Sequence, residues 1–500
     1  MRRTPAVLGL GLCVLLAATA PADATARPSA RSARQAQERH PADRSGAAYS
    51  TKAPYAPRQD PGTYQSAPRG FRPVFTENVS RHGSRAASDG ADGELILHLW
   101  DRAAEEHQLT SLGVQFGPEV RALLAAMEKV GYGNLSGRGE RELRGTAVRM
   151  AQRLPQLFAT IAAEHERIDV VSSGQGRAVD SGTVFADALV GTDPALKPLV
   201  GPARTDKDLL YFHKSAGGAA YRDWLAHDQR LAHTLKDVTD QPATRAAARR
   251  VLAKLFRPAF VQRVVDGEFA SIGSAVDAAQ AVHHLYGIAP AMRAESPHGR
   301  GWRLERYLAP RDADWFGYLD DAAEFYEKGP GFADSDITYA MAGVLLDDFF
   351  RQVEAKRDGN DERGAELRFT HAEEIIPLAA LMGLPGSTKA ADPAQRYTYA
   401  DNPWRGASVA PMAANIQWDV FRRGDTYLVR MLYNEKETAF KTGCRPVARG
   451  SRFYDLVELE RCFGRTSGGR ADGSVVPSPR RGGQSAGRAS RIARAVDVGS

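Results

Sequence analysis

The sequence predicts an α/β fold: a three-layer sandwich with a central, mostly parallel sheet, helices on both faces, and an inserted α-helical domain. Three observations predict it. Residues 71–79 and 167–173 are apolar runs that read as buried strands, and each leads through a loop carrying arginine and glycine into a helical pattern. Residues 200–335 are helical in pattern almost throughout, with runs at 244–255 and 271–286, and hold no chemistry motif. Residues 415–421 and 427–432 read as strands joined by Arg422-Arg423-Gly424-Asp425, a hairpin.

The elements follow in order. Residues 1–26 read as a secretion signal. Arg2-Arg3 precede an apolar run at 6–18 that is too short to span a bilayer, and Ala18-Thr19-Ala20, Ala22-Asp23-Ala24 and Ala24-Thr25-Ala26 fit small-residue cleavage. Leu12 is too bulky for a lipoprotein pattern at Cys13. A secreted protein with no membrane attachment after cleavage is expected. Residues 27–69, rich in Ala, Arg, Ser and Pro, read as a mostly disordered leader, with Tyr64 and its neighbours placed to pack on the core. Helical spacing marks 94–106, 119–130 with Pro118 at its start, and 140–163, which Pro155 should kink or split. The helix at 180–190 follows the second strand, and another at 339–353 returns the chain to a strand at 365–368. Residues 70–195 and 336–464 thus form a discontinuous α/β core, 196–335 the insertion, and 465–500 a disordered basic tail.

The chain has 500 residues and a net charge of +6, much of it in the two ends. The core shows no Lys/Arg stripe interleaved with aromatics, so no nucleic-acid partner is expected. Besides Cys13 there are Cys444 and Cys462, an even pair that favours one disulfide in an exported protein; the other reading is two buried thiols.

The chemistry concentrates at strand ends. Val79-Ser80-Arg81-His82-Gly83-Ser84-Arg85 sets two guanidiniums, an imidazole and a glycine past the first strand, where α/β folds build ligand sites. Arginine forks suit phosphate, and a histidine between them can attack phosphorus or carry a proton. Alone, the stretch also reads as a solvated basic loop. A second stretch, Phe369-Thr370-His371-Ala372-Glu373, pairs another histidine with a carboxyl group two residues on.

Together, Arg81-His82-Gly83-Ser84-Arg85 and His371-Ala372-Glu373 resemble the clade-2 histidine phosphatases (histidine acid phosphatases and phytases), whose core is phosphoglycerate mutase-like. The His-Ala-Glu triplet looks like the multiple inositol polyphosphate phosphatase branch, where most acid phosphatases carry His-Asp. Val170-Val171-Ser172-Ser173 with Arg177 and Ser181 is similar to the rest of the family's phosphate pocket. Pro411-Met412-Ala413-Ala414-Asn415 and Tyr433-Asn434-Glu435 resemble its late core segments. The resemblance covers about residues 70–464 and departs at Ala87, where the family usually has proline. It implies a phosphomonoesterase for inositol polyphosphates with His82 as nucleophile and Glu373 as proton donor. Arg81, Arg85, Arg177 and His371 would bind phosphate, and no cofactor or oligomeric state is implied.

Other features are weaker. His283-His284 lies in an apolar helical run without evident partners and reads as structural, so no metal site is expected. Lys207, Tyr211 and Lys214 form a candidate substrate-binding cluster or a solvated helix face. The sequon Asn78-Val79-Ser80 is discounted, because a glycan there would block the pocket. Two rivals stand beside the leading reading: a broad acid phosphatase of the same fold, and a non-catalytic exported protein that binds phosphorylated ligands.

Overall fold

The computed structural model of the protein describes residues 46–465. The expected signal at 1–26, residues 27–45 of the leader and residues 466–500 of the tail lie outside the described residues.

One eight-stranded sheet forms the centre. Its strands are β1 (Arg72–Arg81), β2 (Arg167–Ser172), β3 (Arg204–Thr205), β4 (Arg363–Thr370), β5 (Asn415–Arg423), β6 (Thr426–Tyr433), β7 (Lys436–Thr438) and β8 (Phe453–Asp455). The order is β3-β2-β4-β1-β5-β6-β7, with β8 paired to β6. β3, β2, β4 and β1 run parallel. β5 joins β1 antiparallel and forms the expected hairpin with β6. Register fixes the site. Arg81 lies opposite Thr370, and Ser172 opposite Phe369, so β1, β2 and β4 end at one level and their loops leave the same edge.

β4 is buried along almost its whole length, as an interior parallel strand should be. Its buried charge is compensated: Arg368 pairs with Glu77 at 2.9 Å and with Asp348 at 2.5 Å. The residues between β3 and β4 are largely helical, as the sequence predicts. Phe256, Phe316 and Phe325 of that stretch share one apolar cluster with Phe349, Ile375 and Trp418, so these helices and the sheet are glued by a common core.

Several boundaries differ from expectation. Pro155 splits the expected long helix, as its position predicts: Gly137–Arg153 ends at Leu154, and Pro155 opens the helix Pro155–Glu164, the position its missing N–H tolerates. The helix Gly113–Val130 begins earlier than expected and takes Pro118 inside it. The helix Gly343–Arg357 begins later. Residues 46–69 are not a disordered leader. Ala47–Lys52 is a 3-10 helix with Ala48, Ser50 and Thr51 buried, and Gly317 packs so close that a Cβ there would lie 2.3 Å from the Ala47 carbonyl oxygen. The Tyr55 hydroxyl donates to Glu435 and the Tyr64 hydroxyl to the Glu435 carbonyl, both at 2.8 Å. The segment has no apolar period because long-range hydrogen bonds, not an amphipathic face, hold it. Arg465, expected in the tail, pairs with Glu354 and Asp347. Cys444 and Cys462 form a disulfide. Among the described residues no helix is long and apolar enough to cross a membrane.

Candidate active site

The first wall is the loop after β1. Gly83 packs against the first turn of the helix Gly137–Arg153, where a Cβ would stand 2.6 Å from the Gly139 carbonyl oxygen; a Cβ on Gly139 would collide with the Ser84 carbonyl. Two glycines face to face therefore let backbone meet backbone. Glu142, buried on the same helix, locks the loop by accepting from the Ser84 N–H at 2.8 Å and the Ser84 hydroxyl at 2.9 Å. The Arg81 Nη1 donates to the carbonyls of Thr51 and Ala410, 2.6 Å each. His82 is 2 % exposed, and its Nδ1 lies 2.9 Å from the Gly83 carbonyl. A carbonyl only accepts, so Nδ1 carries the proton and Nε2 keeps its lone pair.

The second wall comes from β2. Ser173 follows its end, and Arg177 lies in the first turn of the helix Gly176–Val190 rather than in the loop where the sequence reading set it. The Ser181 hydroxyl accepts from the Gly83 N–H at 3.4 Å and donates to the Arg177 carbonyl at 2.6 Å.

The third wall is the end of β4. His371 is the N-cap of the helix Ala372–Leu381, and its ring stands 5.4 Å from His82, centroid to centroid. Ser173 Oγ accepts from the Gln175 N–H and lies 2.8 Å from His371 Nε2. A Ser173 hydroxyl that gives its proton to Nε2 leaves Nδ1 of the neutral ring as the N–H donor. Glu373 sits in the first turn of that helix, 3.0 Å from Lys328 Nζ.

Electrostatics follow from this crowding. Burial, then the charges of Arg81 and Arg85, holds His82 well below the usual histidine range, so its imidazole is neutral. Burial and Arg177 lower His371 to about 3. Burial and repulsion from Arg177 and Arg81 push Arg85 down to about 10, and burial lowers Arg81 as well. The Nε donors of Arg81, Arg85 and Arg177 and Nδ1 of His371 are buried without a hydrogen-bond partner among the described residues. Buried unpaired donors under mutual repulsion are a preformed anion receptor. Glu373, the proton donor implied by the resemblance, is not at rest in the protonated form that role needs. Burial does push it up, but Lys328 opposes burial, and the carboxyl is held well below its usual range.

A family profile described as histidine phosphatase superfamily (branch 2) matches residues 75–434. The chain belongs to this family. It is a phosphomonoester hydrolase of the multiple inositol polyphosphate phosphatase-like kind. The Bifidobacterium longum multiple inositol polyphosphate phosphatase, solved in complex with phosphate, superposes with a TM-score of 0.81 at 32% identity over 85% of this chain and 99% of that one. Its complex with inositol hexasulfate gives 0.79 at 33% identity, with the same coverage. Multiple inositol polyphosphate phosphatase 1 of Gallus gallus is 24% identical over 428 residues, 79% of this chain and 87% of that protein.

In this branch-2 histidine phosphatase, Arg81, His82, Arg85, His371 and Glu373 of the two short motifs meet Arg177 in one place. Of the three further candidates, Tyr211 packs on His371 with centroids 5.0 Å apart. Lys207 is exposed beside the Gly174 loop, its Cε 3.6 Å from where a Gly174 Cβ would stand. Lys214 is exposed and has no side-chain hydrogen bond or ion pair among the described residues. Sequence reasoning missed Lys328, Glu142 and His213. The last lies under the site, its Nδ1 2.5 Å from Glu374, while the Thr370 hydroxyl donates to that same carboxylate. His213 sits two residues from Tyr211 and two from Ser215, yet nothing local marks it; Lys328 caps a helix end with no adjacent motif.

Proposed function

We propose that the protein hydrolyses inositol polyphosphates of the phytate type through a phosphohistidine on His82, outside the cell. One observation carries the reading: four buried, unpartnered donors surround a neutral imidazole whose Nε2 lone pair is available. Arg81, Arg85, Arg177 and His371 Nδ1–H hold the phosphoryl oxygens and take up charge as it shifts toward the leaving group. His82 Nε2 attacks phosphorus as the ester P–O bond breaks. Glu373 gives its proton to the departing alkoxide, then accepts one from the water that hydrolyses the phosphohistidine.

Glu373 must first gain that proton. A phosphomonoester monoanion brings one, and a second negative charge beside Glu373 favours moving it onto the carboxylate. The anionic substrate also competes for Lys328 and loosens the pair that keeps Glu373 ionised. Inositol polyphosphate as substrate is supported by the names and bound ligands of the relatives; Lys207 and Tyr211 would meet phosphates beyond the reacting one. Export is supported by the signal pattern at 1–26 and by the disulfide.

The test is phosphate release from phytate by the purified protein, with and without chelator, beside a His82→Ala variant. Chelator-resistant release that vanishes in the variant is expected, because no step uses a metal. Release from an aryl phosphate but not from phytate would move the function to a general acid phosphatase. Full activity in the variant would overturn the nucleophile.

A further inference from the structure

The histidine pair read as structural has partners that the sequence does not show. His283 and His284 lie on the helix Ala275–Ile288, and Asp320 on the helix Pro310–Glu327. One ligand atom from each of the three falls within 4.8 Å of the others. Both rings are oriented from behind. His283 Nε2 lies 2.9 Å from the Ala48 carbonyl, which only accepts, so the proton is on Nε2. His283 is 1 % exposed, and its Nδ1, with no hydrogen-bond partner among the described residues, stands 3.6 Å from Asp320 Oδ2. His284 Nδ1 lies 3.0 Å from the Asp92 carboxylate, again an acceptor, and His284 Nε2 stands 3.5 Å from Asp320 Oδ1.

His283 Nδ1 aims a lone pair at Asp320, and His284 Nε2 faces the same carboxylate. Against burial and Lys52, the Asp320 and Asp92 carboxylates raise His284, so a metal ion would bind there by displacing the His284 proton. Carbonyl and carboxylate acceptors behind histidines, fixing tautomer and aim, are the usual support of metal-ligating imidazoles. Two ligands about 2.0–2.1 Å from a tetrahedral zinc stand roughly 3.3 Å apart, close to the separations here. The neighbouring cation is Lys52, whose Nζ is 3.9 Å from Asp320 Oδ2; its side chain is about one-third exposed and can turn to solvent.

The structure assigns a divalent-cation site of the zinc class to His283 Nδ1, His284 Nε2 and the Asp320 carboxylate, with Asp92 and Ala48 as outer support. Such an ion would tie two helices to the Ala47–Lys52 segment, whose Thr51 carbonyl holds Arg81. Its role is structural, separate from phosphoryl transfer.

The experiment is titration of the full-length, chelator-stripped protein with zinc alone, by calorimetry and thermal melting, and with cobalt for its visible spectrum. One equivalent should bind, with a raised melting midpoint and a tetrahedral cobalt band. His284→Gln and Asp320→Asn should each lose binding, and Asp92→Asn should weaken it by about 10–100-fold. Circular dichroism of the unloaded variants checks that they fold, and His284→Gln, at a half-buried position, serves if Asp320→Asn does not. No binding to the folded wild-type protein, or binding unchanged in His284→Gln, would overturn the assignment.

Discussion

Lys328 sets the protonation of the group proposed as general acid. It is half-buried at a helix end between Glu324 at 3.2 Å and Glu373 at 3.0 Å, and those carboxylates, against the effect of desolvation, hold its ammonium well above the usual range. The sign follows from the pair. Lys328 favours the carboxylate form of Glu373, so removing its charge lets burial dominate and raises the carboxyl. In Lys328→Met the alkaline limb of kcat against pH should therefore move upward, since protonated Glu373 persists to higher pH; an unmoved limb would detach Lys328 from the chemistry. Ser173→Ala removes the hydroxyl that gives His371 its tautomer. One neutral hydrogen bond is worth about 0.5–1.5 kcal/mol, so kcat/KM should fall about 2–12-fold, with the pH profile kept.

At the scale of elements, the site depends on how closely the β1 loop meets the helix Gly137–Arg153. Gly139→Ala drives a methyl into the Ser84 carbonyl and should destabilise by about 1–3 kcal/mol while lowering kcat, read by thermal melting and phosphate release. Gly145→Ala, on the same helix, sets a methyl 2.8 Å from Nη1 of Arg149, whose guanidinium is tied to Glu435, so the pair must shift; the helix-propensity gain of about 0.5–1 kcal/mol should be largely offset, and kcat should stay unchanged. The catalytic elements were legible in the sequence because each strand end concentrates its chemistry within a few consecutive residues: 81–85, 371–373 and Arg177. Lys328, Glu142 and Thr51 were not. Each reaches the pocket through packing between distant segments, and each looks locally like an ordinary helix or turn residue. The 46–69 segment was misread for the same reason: its small and polar residues carry no period, and its partners, Asp321, Glu435 and Arg81, lie far along the chain.

For the whole molecule, in-register parallel strands bring three loops to one edge, and the helices between β3 and β4 close over it, supplying Tyr211, His213 and Lys328. The predicted α/β architecture stands, with its antiparallel half built from the hairpin. Stability rests partly on the Cys444–Cys462 bridge, 18 residues apart in sequence. Closing a loop of that size stabilises by about 3 kcal/mol in the chain-entropy picture. The double change Cys444→Ala with Cys462→Ala should lower the melting midpoint and leave kcat unchanged, because the loop gives no group to the pocket. The central claim is that phosphate passes through His82 with Glu373 as proton donor. The most direct measurement mixes Glu373→Gln with an activated aryl phosphate, whose leaving group needs no proton, quenches in base, and maps the phosphate by mass spectrometry. Phosphate should accumulate on His82, and phytate should give none with this variant. Phosphate on another residue, or turnover of phytate at the wild-type rate, would contradict the claim.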